Sequence, residues 1–442
     1  MQIVLLSGGS GKRLWPLSND VRSKQFIKIF KKGKCQDEFE SMVQRVYRQI
    51  RNVDEEAQVT IATSKKQVSA IKNQLGDRVS VCVEPCRKDT FPAIALAAAY
   101  LQSEKKVSED ETVIVCPVDP FVNNNYFQMF KQLDALVKKE TSAICLMGIE
   151  PTYPSEKYGY IIPETNENIS KVKTFKEKPN EKTAEKYLAA GALWNAGVFS
   201  FKLGTILERC HKIIKFDNYT DLYNQYSNLQ KISFDYAILE KEETIEVVRY
   251  KGDWKDLGTW NTFSEAMDDV TLGKVILGKN CVNTNVINEL NIPVLCMGLK
   301  NTIVAASGDG ILISDKEQSS EIKPYVDTID EQIRFAEKSW GNFTVLDIQP
   351  TSMTVKIKLL PGQHLTYHEH EHREEVWTVI SGLGKVVLDN KEYKIKEGDT
   401  IHIRSECKHS VIAETELDII EVQIGEEIDV NDKEKFDYNF EG

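Results

Sequence analysis

The first third of the chain alternates short apolar runs with segments of helical spacing. Residues 3–6, 58–62, 79–83 and 112–116 are continuous or near-continuous apolar stretches of strand length. Between them, residues 39–50 and 65–75 repeat their apolar positions at helical spacing. Residues 91–100 form an alanine-rich helix with Pro92 near its start, where a missing N–H costs nothing. This alternation predicts βαβ units and a mainly parallel sheet. From about residue 271 to 326 the pattern shifts to short apolar runs, at 294–297, 303–306 and 311–313, between glycine turns, which predicts a small β-rich extension. Residues 317–337 are charged and predict a helical connector. Beyond Trp340, runs at 354–360, 376–380, 384–388, 400–403 and 418–423 are punctuated by Pro361-Gly362, Ser381-Gly382 and Glu397-Gly398, a pattern of a small β-barrel.

The pattern therefore divides into an α/β domain over 1–270, a β-rich extension and connector over 271–337, and a barrel over 338–442. A length of 442 residues suits two or three cores. The net charge of -11 and the lack of a basic stripe argue against a nucleic-acid partner. No long apolar run or signal peptide is visible, so the expectation is a cytoplasmic protein with no membrane partner. Nine cysteines with no Cys-x-x-Cys pair predict reduced thiols and no disulfide framework. Of the seven histidines, only His211 lies outside the window from His364 to His409, so imidazole is concentrated in the barrel.

The first strand runs into Ser7-Gly8-Gly9-Ser10-Gly11-Lys12-Arg13, a glycine-rich loop with two cations. Such a loop after a buried strand presents backbone N–H groups to phosphate. A P-loop is excluded, because Leu6 and Arg13 stand where it needs glycine and Ser or Thr. A dinucleotide fingerprint is excluded too, because Leu14 holds the place of the third glycine. Downstream lie Arg22-Ser23-Lys24-Gln25-Phe26, a second cationic cluster, and Asp119, a carboxylate just past the strand at 112–116, where open α/β sheets bind ligands. Asp256, in Trp254-Lys255-Asp256-Leu257-Gly258, offers a second carboxylate, and two carboxylates suffice for a magnesium ion on nucleotide phosphates.

With Leu14-Trp15-Pro16-Leu17-Ser18 and Lys24-Gln25-Phe26, these pieces resemble the nucleotide-sugar pyrophosphorylases, and among them the bacterial mannose-1-phosphate guanylyltransferases. Tyr158-Gly159-Tyr160, Phe175-Lys176-Glu177-Lys178-Pro179, Trp194-Asn195-Ala196-Gly197 and Ser233-Phe234-Asp235-Tyr236-Ala237 follow in that family's order. The resemblance implies a Rossmann-like fold and a nucleotide site at Gly8, Gly9, Ser10, Gly11, Lys12 and Asp89. It implies catalytic roles for Arg13, Lys24, Asp119 and Asp256, with magnesium on the two aspartates. It further implies that Gly159, Glu177 and Asn195 hold the sugar and Lys178 its phosphate. The chain departs from the family at Lys88-Asp89-Thr90-Phe91, where Arg-Asn-Thr-Ala is usual, at Lys12 for Thr, and at Pro120 for His. Asp89 exchanges an amide for an acceptor-only carboxylate, which bears on the choice of base.

In the barrel, Gly362 precedes His368-x-His370, Glu375 and Gly382, and Gly398 precedes His409. This resembles both metal motifs of the cupins. His368 and His370 alternate along a strand and so face one way, and with Glu375 and His409 they form a nitrogen and oxygen set for zinc or a similar divalent transition metal. The whole chain resembles the bifunctional mannose-1-phosphate guanylyltransferase and mannose-6-phosphate isomerase family. That implies synthesis of GDP-mannose from GTP, or another NTP such as CTP, and a hexose 1-phosphate, with a hexose 6-phosphate isomerised at the cupin. Arg373 is the expected phosphate partner there and Glu374 or His372 the expected base. Where the family has Gln and His, this chain has His368 and Val376, so a non-catalytic sensing or dimerising cupin is the alternative. A homo-oligomer is expected.

Overall fold

In a computed structural model, residues 1–9, 12–32, 38–329, 333–426, 428–429 and 432–440 are described. The chain separates into two compact units. One comprises Met1–Leu14, Ser23–Val68 and Asp77–Asp269, and the other Trp15–Arg22, Ser69–Gly76 and Val270–Gly442.

The first unit is built on a nine-stranded sheet. Its order is Ser80–Glu84, Gln58–Ser64, Gln2–Ser7, Thr112–Pro117, Leu193–Lys202, Ile144–Ile149, Ile245–Tyr250, Ile169–Lys176 and Tyr160–Pro163. The first four strands run parallel, as the βαβ alternation predicts. The expectation of a mainly parallel sheet needs correction beyond them. Leu193–Lys202 lies antiparallel to both its central neighbours, and Ile169–Lys176 is antiparallel to Ile245–Tyr250. Strand direction is set by connections, and a fully buried apolar strand reads alike in either sense. The helix Thr90–Ser103 buries nearly every side chain from Phe91 to Leu101, which is why it shows no polar face in sequence.

The helix expected from residue 39 starts later, at Met42, after a short strand Phe39–Ser41. Ser41 sets that start. Its hydroxyl accepts from the Gln44 N–H while the Gln44 side chain accepts from the Ser41 N–H, a capping box that satisfies two orphan donors at once.

In the second unit, strands alternate between two sheets. Thr271–Leu272, Asn285–Asn288 and Thr302–Ser307 pair in parallel, with Gly310–Asp315 returning antiparallel at the edge, and Val275–Leu277 pairs in parallel with Val294–Cys296. This is a short β-solenoid. The expected connector helix over 317–337 does not form. Gln318–Glu321 is a single 3-10 turn, Lys323–Val326 one helical turn, and Phe335–Lys338 a strand, while residues 330–332 lie outside those described. The charges there lacked an apolar stripe to dock a longer helix, and Pro324 sits at the start of the turn.

The barrel packs a six-stranded sheet, centred on Ser352–Leu359 and Leu417–Gly425, against a five-stranded one containing Leu383–Leu388 and His409–Ala413. Its core joins Leu359, Trp377, Val379, Val386 and Ile419. Among the described residues, no helix is long and apolar enough to cross a membrane.

Replacing the capping serine, Ser41→Ala, should cost about 1 kcal/mol, read as a lower urea midpoint for the first unit's transition with its slope unchanged.

Candidate functional site

The strand Thr112–Pro117 ends at Pro117, and Asp119 follows two residues later, past the sheet's C-terminal edge. Pro120–Val122 then pairs antiparallel with Trp254–Asp256, which sets Asp256 opposite Pro120. This small two-stranded clamp brings two carboxylates from distant parts of the sequence together. Lys24 Nζ lies 2.5 Å from Asp119 Oδ2, 3.5 Å from Asp256 Oδ1, and 3.4 Å from the Leu257 carbonyl. Burial disfavours the Lys24 ammonium, but the two aspartates outweigh it and its pKa is raised. The lysine therefore stays charged between two anions.

All three line one cleft of about 340 Å³ together with Gly159, Glu177, Lys178 and Asn195. The sequence thus named seven residues that share one cavity. Gly159 is required by space: a Cβ there would stand 2.4 Å from Glu177 Oε2 and 2.9 Å from Phe175 Cζ. Its carbonyl accepts from the Asn195 N–H at 2.8 Å. Lys178 pairs with Glu177 at 3.0 Å, and that bond raises the lysine's pKa.

Asp235, within the Ser233–Ala237 motif, also belongs to this cleft, a place no motif assigns it. It accepts from Asn195 Nδ2 at 2.7 Å, while Asn195 Oδ1 accepts from the Gly197 N–H at 3.0 Å, so both ends of that amide are fixed. Burial, then the charge of Glu177, pushes the Asp235 carboxyl up to about 7. An aromatic wall was also missed: Tyr158 packs on Trp194 and Trp254 at 4.9 and 5.2 Å between ring centroids. Only the three-dimensional proximity of 158, 194 and 254 reveals it.

The glycine loop is anchored from below. Gln25 Nε2 donates to Ser7 Oγ at 2.9 Å, and the Gly9 carbonyl accepts from Ser23 Oγ at 2.9 Å and Gln67 Nε2 at 3.3 Å. Ser10 and Gly11 lie outside the described residues. Gly8, Gly9, Lys12, Arg13 and Asp89 are not in the lining of the cleft above. Arg13 is exposed. Asp89 caps the helix Thr90–Ser103, accepting from the Thr90 N–H at 2.8 Å, at a φ of 75° that L side chains seldom adopt. Behind the loop, Tyr226 donates to the buried Glu84 at 2.7 Å, and burial raises the Glu84 pKa.

In the barrel, His368, His370 and His409 are buried with nitrogens within 4.8 Å of one another. His368 lies opposite His409 in the strand register. Backbone carbonyls hold all three Nδ1 atoms: Thr366 at 2.7 Å for His368, Cys407 at 2.8 Å for His409, and Asp432 for His370. The Nε2 atoms are thereby turned inward as acceptors, the orientation in which metal-ligating imidazoles are held. Burial drives the His368 pKa down to about 2, so its imidazole is neutral. His409 Nε2 is buried and has no hydrogen-bond partner among the described residues. Glu375 stands 3.0 Å from His370 Nε2 and 3.3 Å from His409 Nε2, and accepts from Trp377 Nε1 at 3.0 Å. This donor set fits a divalent transition metal.

Arg373 turns its guanidinium onto Glu375, His370 Nε2 and the Asp429 carbonyl, at 3.3, 3.2 and 2.8 Å, and is buried. The two expected bases do not face the interior. Along Arg373–Ser381 the inward positions are Arg373, Glu375, Trp377 and Val379, so Glu374 points out, where it pairs with His402 at 2.7 Å, and His372 is exposed. A buried carboxyl that the sequence reading missed is Glu421, opposite Trp377, which burial and the charge of Glu375 push up to about 8.

A lysine and two aspartates at the C-terminal edge of a Rossmann-like sheet, on a chain that also carries a cupin with a histidine triad, define a nucleotidyltransferase coupled to an isomerase-type barrel. Residues 2–272 match the nucleotidyl transferase family and residues 328–438 the mannose-6-phosphate isomerase C-terminal family, so the chain belongs to the nucleotidyl transferases and is an enzyme of that kind. It is 28% identical to the alginate biosynthesis protein AlgA of Pseudomonas putida, over 98% of this chain and 95% of that one. It is also 28% identical to a mannose-1-phosphate guanylyltransferase of Klebsiella pneumoniae, over 96% of this chain and 95% of the other. A crystal structure described as a mannose-1-phosphate geranyltransferase from Thermus thermophilus aligns with a TM-score of 0.59 at 24% identity, covering 74% of this chain and 98% of that one.

Two outcomes follow from this geometry. The Asp235 carboxyl takes its proton near pH 7 when folded and near pH 4 when unfolded, so its contribution to stability is complete below about pH 4 and lost as pH rises toward 7. Asp235→Asn removes that loss. The urea midpoint of the variant, relative to the parent, should climb between pH 4 and 7 and level off above; a difference constant with pH would contradict the assignment. In the barrel, His409→Ala should leave well under one equivalent of bound transition metal per chain by elemental analysis, with circular dichroism unchanged.

Proposed function

We propose that the chain makes GDP-mannose and pyrophosphate from GTP and mannose 1-phosphate. The observation that carries this reading is the convergence of Lys24, Asp119 and Asp256 in the same cleft as Glu177, Lys178 and Asn195. The names of relatives matching nearly the whole chain support the choice of substrates. In the reaction, an oxygen of the sugar phosphate forms a bond to the α-phosphorus as the bond from that phosphorus to the bridging oxygen of the leaving pyrophosphate breaks. No covalent enzyme intermediate is needed.

Two anions must meet while a third departs, so the protein's work is positioning and charge neutralisation. Lys24 is placed to neutralise a non-bridging α-phosphate oxygen, since two carboxylates keep it charged at the centre of the cleft. Lys178 neutralises the sugar phosphate. Asn195, locked by Asp235 and Gly197, and Glu177 bind sugar hydroxyls. The glycine loop, with Lys12 and Arg13, binds the triphosphate, and Asp89 lies at its base side. Asp119 and Asp256 present hard oxygen donors toward a common point and would hold a magnesium ion, which supplies further neutralisation of the phosphates.

The cupin, on this reading, interconverts mannose 6-phosphate and fructose 6-phosphate. His368, His370, His409 and Glu375 would hold a divalent metal that polarises the hexose oxygens at C1 and C2. Arg373 fixes Glu375 and His370 in place.

Asp256→Ala should reduce pyrophosphate release from GTP and mannose 1-phosphate by at least about 100-fold, with the metal content of the cupin unchanged. Retained turnover would reject the assignment of Asp256, and with it the carrying observation.

A further inference from the structure

Of the four barrel groups that offer atoms to a metal, three are braced by residues that follow the strand Leu417–Gly425 in the chain. His368 sits in a strand of only two residues, His368–Glu369, between the strand of His409 and Glu434–Lys435. Without the outer strand, one side of that short strand would be a free edge. The His370 ring is held through Nδ1, which donates to the Asp432 carbonyl. Glu375 accepts from Arg373 Nε at 3.3 Å, and Arg373 Nη1 in turn donates to the Asp429 carbonyl at 2.8 Å and lies 3.8 Å from the Asp432 carboxylate. His409 is oriented by the Cys407 carbonyl instead.

Asp432 is the centre of this brace. Its carboxylate, on a side chain only 7% exposed, accepts from the Glu371 N–H at 2.9 Å and the His372 N–H at 3.3 Å. One residue thus fixes the backbone just after His370 with its side chain and the His370 ring with its carbonyl. The rest of the segment is fastened lightly. The Phe436 N–H donates to the Tyr367 carbonyl at 2.9 Å, and Lys408 Nζ stands 3.8 Å from the centre of the Phe436 ring. Tyr438 packs on Tyr367, and Phe440 stacks on His364. Glu434, Lys435 and Asp437 are exposed, and no residue from 432 to 440 is fully buried. A segment held by a few polar bonds and half-covered rings opens locally at far lower free energy than the barrel around it.

We infer that residues 432–440 form a strap whose docking is coupled to metal binding, and that Asp432 is a positioning residue for the histidine site. This rests on the reading of His368, His370, His409 and Glu375 as a metal site. With the strap docked, the imidazoles point their Nε2 atoms inward. When it lifts, the His370 ring loses the acceptor that fixes its rotation, and the strand of His368 loses its outer neighbour. A divalent transition metal therefore binds the docked form more tightly. By reciprocity, the metal favours docking by the same factor. Partners that orient ligating imidazoles are worth about 10- to 100-fold in metal affinity, which sets the size of that factor. A strap that served the barrel's stability alone would dock equally well with and without metal.

The test uses the full chain and zinc as the probe. In a competition titration, Asp432→Ala should bind zinc about 10- to 100-fold more weakly than the parent. Asp432→Asn, which keeps an oxygen acceptor for the Glu371 N–H, should recover most of that loss. Hydrogen exchange of the parent needs no variant: the Phe436 amide should exchange more slowly as zinc is added, over the concentrations at which zinc binds. A parent that binds no zinc overturns the metal-site reading and the inference with it. A parent that binds zinc no more tightly than Asp432→Ala, or an Asp432→Asn variant as weak as Asp432→Ala, overturns the inference alone. Phe436 exchange unaltered by bound zinc overturns it even if the variants fail to fold.

Discussion

The Lys24 ammonium lies within 3.5 Å of the carboxylates of both Asp119 and Asp256, and the three come from separate regions of the chain. Burial disfavours the Lys24 charge, and the two carboxylates, themselves open to solvent, offset that cost. The cluster thereby constrains the surrounding fold. The strand Thr112–Pro117 must end where it does to release Asp119, and the clamp between Pro120–Val122 and Trp254–Asp256 must hold to deliver Asp256. A cleft that gathers both signs of charge suits a reaction whose barrier is chiefly the approach of phosphates to one another.

The sugar side of the cleft and the barrel's histidine site use the same device by different means. In each, a polar group that would otherwise rotate is fixed by the backbone or by a neighbour. Gly197 and Asp235 clamp the Asn195 amide from its two ends. Three backbone carbonyls clamp three imidazoles through Nδ1, which leaves the opposite nitrogens aimed at a common point. Because the orientation is set before any ligand arrives, little freedom is lost on binding.

Much of this was legible in the sequence because local patterns encode local structure. The strand and helix alternation read correctly over the first four strands of the sheet, and residues as far apart as Lys24 and Asp256, which share one cleft, could be grouped by their motifs. Strand direction was not legible, since Leu193–Lys202 is buried on both faces and its composition is the same either way. The connector failed for a related reason: charge density at 317–337 suggested a helix, but a helix needs an apolar face to dock. The outward turn of Glu374 follows from strand alternation relative to Glu375, a parity the sequence contained once Glu375 was taken as inward. Asp235 and Glu421 needed the structure, because a carboxyl's environment depends on contacts that no spacing rule conveys.

On the function proposed above, this charge cluster transfers a guanylyl group to mannose 1-phosphate. Its most direct test is pyrophosphate release by the purified chain with magnesium, offering GTP, CTP, ATP and UTP in turn against mannose 1-phosphate and glucose 1-phosphate. GTP with mannose 1-phosphate should turn over fastest. Preference for another nucleotide or sugar phosphate would contradict it.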